Sequence, residues 1–157
     1  MRAILNGTDV GRKNIVFGIA LFLALGVVVG VPLTVDLFGG SMLTGEQYQT
    51  WKVVHGYAVF LALINGFFGL AIDRLDLPRR QKEVASWSIL AAGLFGGVGR
   101  SILALLSALG AFGLVASLGE VACITLGTGI FLAGQMRERR KQSPARAAEA
   151  RPSRTKG

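Results

Sequence analysis

Four long apolar stretches, nearly free of charge, constrain this chain more than any other feature. About 20 consecutive apolar residues match the ~30 Å hydrocarbon core of a bilayer. Hydrophobic residues make up 52% of the 157 residues and charged residues only 17%, and most charges lie outside these stretches. The pattern predicts an all-α integral membrane protein, a bundle of four transmembrane helices at about residues 15–38, 51–72, 84–107 and 112–136.

The boundary between the third and fourth spans depends on a turn within apolar sequence. Residues 84–136 carry only two charged side chains, Arg100 and Glu120, and they are too many for a single span. A turn at Arg100 would make one helix too short and the other too long. We therefore place the turn within residues 108–113, where glycines favour a chain reversal. Residues 1–136 then form one domain.

The basic residues predict the orientation. Except for Lys52 and Arg100, every lysine and arginine lies before the first span, between the second and third, or after the fourth. The positive-inside rule then puts both termini in the cytoplasm, and we expect a bacterial cytoplasmic membrane. Trp87 is expected at the inner membrane interface.

Most of the net charge of +8 comes from the last residues of the chain. Residues 137–157 contain many basic and few bulky apolar residues, which predicts a disordered cytoplasmic tail. Anionic lipid is the expected partner of such a tail. Nucleic acid is not expected, because the basic residues cluster at helix ends and form no recognition surface.

Arg100 and Glu120 are the charges expected inside the membrane, where each costs at least about 2.5 to 3.5 kcal/mol near the centre. With a turn near Gly110, both lie about 15 Å along their helices, so we expect an intramembrane ion pair. One interpretation is a structural salt bridge that holds the hairpin together. The other is an ion or proton relay, which would normally need further titratable groups.

His55 is the only histidine and lies about one turn inside the second span. Asp36, at a similar depth, is expected to accept a hydrogen bond from one imidazole nitrogen and leave the other for a ligand. His55 would then be an axial ligand of haem b, with Tyr57 and Asn65 as further candidate cofactor-binding residues. The alternative is a histidine that is hydrogen-bonded to Asp36 or to a backbone carbonyl and binds no ligand. No catalytic residue can be named.

Several enzyme classes lack their motifs in this sequence. Cys123 is the only cysteine, so neither an internal disulfide nor a multi-thiolate metal site is expected. No GxSxG, HExxH or P-loop motif occurs, which disfavours a hydrolase, a zinc enzyme and a nucleotide-driven pump. The pairs Gly26 and Gly30, and Gly93 and Gly97, have the GxxxG spacing that is typical of tight helix packing or oligomers.

The four spans, the single His55 early in the second span and the later Asn65-Gly66 pair resemble the styrene oxide isomerase family. The resemblance implies a haem bound by His55, a trimeric assembly, and isomerisation of small apolar epoxides by Lewis-acid iron. In that family the histidine and asparagine are closer by about one helical turn. Its third span carries acidic and tyrosine residues where this chain has glycines and Arg100.

Three functions follow, in order of preference. The first is a non-enzymatic subunit, either an accessory to a larger membrane complex or a homo-oligomer, with an intramembrane polar core. The second is a haem b-binding membrane isomerase that acts through His55. The third is a small ion- or proton-coupled transporter that uses Arg100 and Glu120.

Overall fold

The computed structural model describes residues 9–106 and 110–149. Within them the chain is helical and contains no strand. Four helices of the described residues are long and apolar enough to cross a membrane, which confirms the predicted all-helical class with four apolar helices. They are α1 (Arg12–Leu37), α2 (Gly45–Ile72), α3 (Arg79–Ala104) and α4 (Gly110–Glu149), of which Gly110–Arg140 forms the apolar span.

Helices α1, α2 and α3 begin three to six residues before the predicted spans, because local signals start them in polar sequence. Thr44 and Gln47 form a capping box at the start of α2: the Thr44 hydroxyl accepts from the Gln47 backbone, and the Gln47 side chain accepts from the Thr44 backbone. Helix α3 begins directly after Pro78. At α1 the cap comes from another helix end, because the Asp73 carboxylate accepts the backbone N–H groups of Val10 and Gly11.

Helix α4 differs from the predicted turn and tail. It begins at Gly110, inside the turn predicted at 108–113, and residues 107–109 lie outside the described residues. It continues to Glu149, although disorder was predicted from residue 137. Alanine, arginine, lysine and glutamate favour helix, and extending an existing helix avoids the cost of nucleation. Residues 150–157 of the predicted tail lie outside the described residues.

The helices pack as two hairpins, α1 against α2 and α3 against α4, with α2 and α3 also in contact. The α1 and α2 backbones touch near one end of the bundle. A Cβ at Gly69 would lie 2.6 Å from the Gly11 carbonyl oxygen, and one at Gly18 would lie 2.7 Å from the Ala62 carbonyl oxygen. Glycine at positions 69 and 18 is therefore required by this close approach.

The end with these close contacts also carries most of the described basic residues. The start of α1, the α2–α3 loop and the last part of the α4 span meet there; we call it the basic end, and the other the opposite end. A buried apolar cluster lies near it, formed by Phe68, Ile72, Leu75, Leu77, Ala85 and Ile89. Outward-facing side chains are instead large and exposed, as lipid contact requires: Phe67 is 67% exposed and Phe112 is 75% exposed.

Helices α1 and α3 each contain a π-helical segment, Phe22–Val27 and Gly93–Arg100. Such segments change the direction of the following side chains and frequently occur at functional sites. Gly26 lies in the first segment, and Arg100 ends the second. In the second, the GxxxG pair packs inside the chain: a Cβ at Gly93 would lie 2.5 Å from Phe17, and one at Gly97 would lie 2.9 Å from Leu21.

Candidate functional site

Toward the opposite end of the bundle, helix α2 has polar residues on two different faces. His55 and Tyr57 are two positions apart, which is about 200° around a helix of 3.6 residues per turn. His55 faces α1, where its Nδ1 lies 2.8 Å from the Gly26 carbonyl oxygen. Tyr57 faces α3 and α4, where it contacts Arg100 and Glu120. The two residues therefore belong to separate sites.

The hydrogen bond of His55 assigns its tautomer. A carbonyl oxygen only accepts, so Nδ1 carries the proton and Nε2 of the neutral ring has a free lone pair. Within the described residues Nε2 has no hydrogen bond, and none of their buried side-chain nitrogens or oxygens lacks a partner. Nε2 is therefore accessible at the surface of the bundle. This is the arrangement in which a histidine can bind a metal, with the other nitrogen oriented by a backbone carbonyl.

His55 lines a groove of about 490 Å³ between α1 and α2, which we call the His55 groove. Its other lining residues are apolar or glycine except Thr34, whose hydroxyl donates to the Gly30 carbonyl oxygen at 2.9 Å. Gly30 is needed for the imidazole, because a Cβ there would lie 2.9 Å from Cε1 of His55. The groove thus offers one free polar atom in an apolar surface, and its volume falls in the range of about 300 to 1,000 Å³ typical of ligand sites.

The predicted hydrogen bond between Asp36 and His55 is wrong. The Asp36 carboxylate accepts the backbone N–H groups of Met42, at 2.6 Å, and Leu43, at 3.2 Å, in the α1–α2 loop. Backbone N–H groups of the α1–α2 loop occupy the Asp36 carboxylate, and the Gly26 carbonyl oxygen accepts from His55 instead. The observed contact agrees with the alternative interpretation, in which His55 is hydrogen-bonded to a backbone carbonyl.

Arg100, Tyr57 and Glu120 form a second polar cluster. The Tyr57 hydroxyl donates to one carboxylate oxygen of Glu120, and Nη1 of Arg100 lies 3.8 Å from the other. The Arg100 guanidinium stacks on the Tyr57 ring at 4.1 Å from its centre. Gly96 leaves room for the carboxylate, because a Cβ there would lie 2.5 Å from it. The structure thus brings Arg100 and Glu120 together and adds Tyr57 between them.

The two charges of this cluster differ in burial. The Glu120 side chain is 5% exposed, whereas that of Arg100 is 32% exposed. The carboxylate is enclosed between a hydroxyl and a cation, which lowers the cost of burying its charge. A guanidinium has five N–H donors, and the contacts of Arg100 within the described residues use Nη1 and the ring stacking. Glu120 thus has a partner at each carboxylate oxygen, whereas Arg100 retains N–H donors that have no partner among the described residues.

Asn65 belongs to a third cluster, near the basic end and about 15 Å along α2 from His55. Asn14 donates to Asn65 at 3.1 Å and to the Ser86 carbonyl at 3.0 Å, and the Ser86 hydroxyl donates to Asn14. Asn65 donates to the carbonyl oxygens of Leu61 and Ile89. Asn14, Asn65 and Ser86 are each 0% exposed. This cluster joins α1, α2 and α3, and it is remote from the His55 groove.

Sequence reasoning missed Asn14, Ser86 and the role of Tyr57. Asn14 follows Arg12 and Lys13, so it is easily taken for part of a polar boundary, and Ser86 is a weak signal in a membrane helix. The available signal was three polar side chains at similar depth near one end, on helices rich in small residues. The hydrogen-bond partners of these side chains could not be predicted, because they depend on how each helix is rotated about its axis.

No group of three or more histidine, cysteine, aspartate or glutamate side chains able to hold a metal ion occurs in the described part of the chain. Cys123 is a free, half-buried thiol. A metal at His55 would therefore arrive with its other ligands, as the iron of a macrocycle does.

The chain was compared with protein-family models, curated proteins and solved structures, and nothing matches it in any of the three.

Proposed function

We propose that this protein is a membrane subunit that binds a flat metallated macrocycle, with haem b as the closest fit, through Nε2 of His55. The observation that carries the proposal is the hydrogen bond from Nδ1 to the Gly26 carbonyl oxygen at 2.8 Å. This bond orients the ring and leaves Nε2 as a lone-pair donor at an apolar groove. A purely structural histidine gains nothing from an accessible, unbonded nitrogen in lipid.

The residues around His55 fit such a group. The groove is apolar, and the glycines at 26 and 30 keep α1 thin beside the imidazole. Tyr57 and Asn65, which were candidate cofactor-binding residues, and Asp36 have other partners. His55 would thus be the one polar ligand from this chain.

The groove is open on the outside of the bundle, which supports a subunit over an isolated monomer. Its walls include Val27 and Val31, which are 44% and 54% exposed. A second copy or another membrane subunit would cover the outer face of a bound macrocycle. With one histidine per chain, a second histidine for the metal would have to come from that neighbour. This proposal joins a non-enzymatic, oligomer-forming subunit to the binding of haem.

The membrane arrangement is part of the same proposal. Both termini would lie in the cytoplasm of a bacterium, with the basic end at the anionic inner leaflet. Anionic lipid would bind the basic tail from Arg137 onward. The exclusion of lysine and arginine other than Lys52 and Arg100 from the opposite end supports this orientation.

Epoxide isomerisation is a narrower form of the proposal, taken from the resemblance to styrene oxide isomerases. When bound, haem supplies a Lewis-acidic iron. The residues of this chain give binding more support than catalysis, because Asn65 is engaged in a buried cluster about 15 Å away along α2.

The test is a visible spectrum of the full chain, expressed with ample haem and purified in mild detergent. Wild type should show a Soret band, and His55→Ala should lose it while keeping its helical circular dichroism. His55→Gly with added imidazole should recover part of the band, since imidazole replaces the missing ligand.

Two further variants complete the test, the first as a matched control and the second as a change within the groove. Tyr57→Phe lies on the other face of α2 and should keep the band. Gly30→Ala should weaken it, because the added Cβ would push the imidazole. A colourless wild-type protein that is folded, or a band that survives in His55→Ala, would contradict the proposal.

Transport is a second candidate function, favoured by the Arg100–Tyr57–Glu120 cluster. An acid enclosed by a hydroxyl and a partly exposed guanidinium could pass a proton or an ion between the two ends. The test is proton flux into proteoliposomes loaded with a pH-sensitive dye. Flux that Glu120→Gln abolishes and His55→Ala retains would support transport, and the same flux in wild type and Glu120→Gln would reject it.

A further inference from the structure

A second groove lies between α1 and α3 at the basic end, with a volume of about 630 Å³. Its rim is charged and its deeper wall is apolar. The cationic rim residues are Arg12, Lys13 and Arg79. The apolar wall continues along α1 through Val16, Phe17 and Ala20. Lys13 to Ala20 covers about 10 Å of helix.

The charges at this rim do not cancel. Glu83 also lines the groove, but it is paired with Nε of Arg79 at 3.0 Å. Nζ of Lys13 lies over the Trp87 ring, 4.4 Å from its centre, and in the described part of the chain neither Lys13 nor Arg12 forms a salt bridge. Asp9 is the remaining acidic residue of the rim, and Glu83 and Asp73 lie close enough to attract Lys13. The lining residues of the groove nevertheless carry three positive charges against two negative ones.

We propose that this groove is a binding site for an anionic phospholipid. Its phosphate lies at Arg12 and Lys13, and one acyl chain lies on the apolar wall formed by α1. A soluble phosphate would use the rim alone, whereas a phospholipid uses both parts of the groove. Trp87, beside Lys13, is a residue type that prefers the headgroup level of the membrane, so the rim and the lipid phosphate lie at the same depth.

The experiment uses the full chain with Trp51→Phe, so that Trp87 is the only tryptophan. The protein is reconstituted in phosphatidylcholine vesicles that contain either brominated phosphatidylglycerol or brominated phosphatidylcholine at the same mole fraction. Bromine quenches Trp87 only when that lipid is next to it. The measured quantity is the ratio of the apparent affinities for the two lipids.

We expect the anionic lipid to be preferred. A basic residue near the surface contributes about fivefold in affinity, so Lys13→Gln and Arg12→Gln should each lower the ratio by about that factor. Asp9→Asn should raise it. Arg137→Gln is the matched control, because Arg137 lies at the same end of the bundle but lines a different groove; it should leave the ratio nearly unchanged.

Three outcomes overturn the proposal. Equal quenching by the two lipids rejects an anionic site. An effect of Arg137→Gln as large as that of Lys13→Gln assigns the preference to the general charge of the surface. Displacement of the lipid by millimolar inorganic phosphate makes the rim a site for soluble anions. None of these results depends on whether His55 binds haem.

Discussion

Glycine has different roles in the two halves of the α1–α2 pair. Near the basic end, Gly11 and Gly69 bring backbone against backbone, with a Cβ at position 69 falling 2.6 Å from a carbonyl oxygen. Toward the opposite end, Gly30 faces the His55 ring. Glycine thus closes the helices in one half and makes room for a side chain in the other.

The polar groups follow this difference. In the half near the basic end, which we call the tight half, Asn14, Asn65 and Ser86 are fully buried and bond to one another. In the half near the opposite end, which we call the open half, His55 and Arg100 have side-chain nitrogens at the surface of the bundle that form no hydrogen bond within the described residues. Saturated polar groups hold helices together, and unsaturated ones are available to ligands. We therefore interpret the buried polar cluster of the tight half as a scaffold, and the open half as the place of the proposed macrocycle site.

The largest expected effect tests the backbone contact. Gly69→Ala should destabilise the protein by about 2 to 3 kcal/mol, because its Cβ meets backbone that cannot move aside. Gly66→Ala is the control, since a Cβ there meets nothing within 4 Å. The measurement is unfolding in mixed micelles with increasing sodium dodecyl sulfate. Equal stability of the two variants would show that the helices do not touch at Gly69.

The buried cluster gives the next effect. Asn65→Leu should cost about 1 to 3 kcal/mol, because it removes the acceptor of one Asn14 N–H in a dry interior, while the other N–H keeps the Ser86 carbonyl oxygen. Thr34→Val, in the open half, removes a hydroxyl that bonds within its own helix and should change stability by less than about 0.5 kcal/mol. Similar losses in both variants would remove the distinction between the halves.

The charged cluster should show coupling. Arg100→Leu and Glu120→Leu each leave one partner without its opposite charge, so each should be destabilising. The double variant should lose less than the sum of the single losses, by about 1 kcal/mol. The measurement is the same unfolding equilibrium for all four proteins of the cycle. Additive losses would mean that the two charges do not interact.

The smallest effect concerns Asp36. Asp36→Asn weakens the acceptor for two loop N–H groups, one exposed and one half-buried, and should cost about 0.5 kcal/mol. It should leave any Soret band unchanged, because Asp36 does not contact His55 in the structure. Loss of the band in Asp36→Asn, with the fold intact, would restore the link between these residues that sequence reasoning predicted.

The position of a residue along the helix axes could be predicted from the sequence, and rotation about those axes could not. Counting residues from a turn near Gly110 brought Arg100 and Glu120 to one level, and the structure has them 3.8 Å apart. The same counting matched Asp36 to His55, but their side chains have different partners. It also grouped Tyr57 with His55, although they lie on different faces of α2.

The sequence by itself determined the helical class and the four apolar helices, because hydropathy is a sum over neighbouring residues and needs no partner. It also determined the polar residues that must be explained. Only the tertiary structure decided which of them meet. The π segments and the glycine contacts set the rotation and separation of each helix, and these leave Asn65 saturated in the scaffold and His55 with a free nitrogen at the groove.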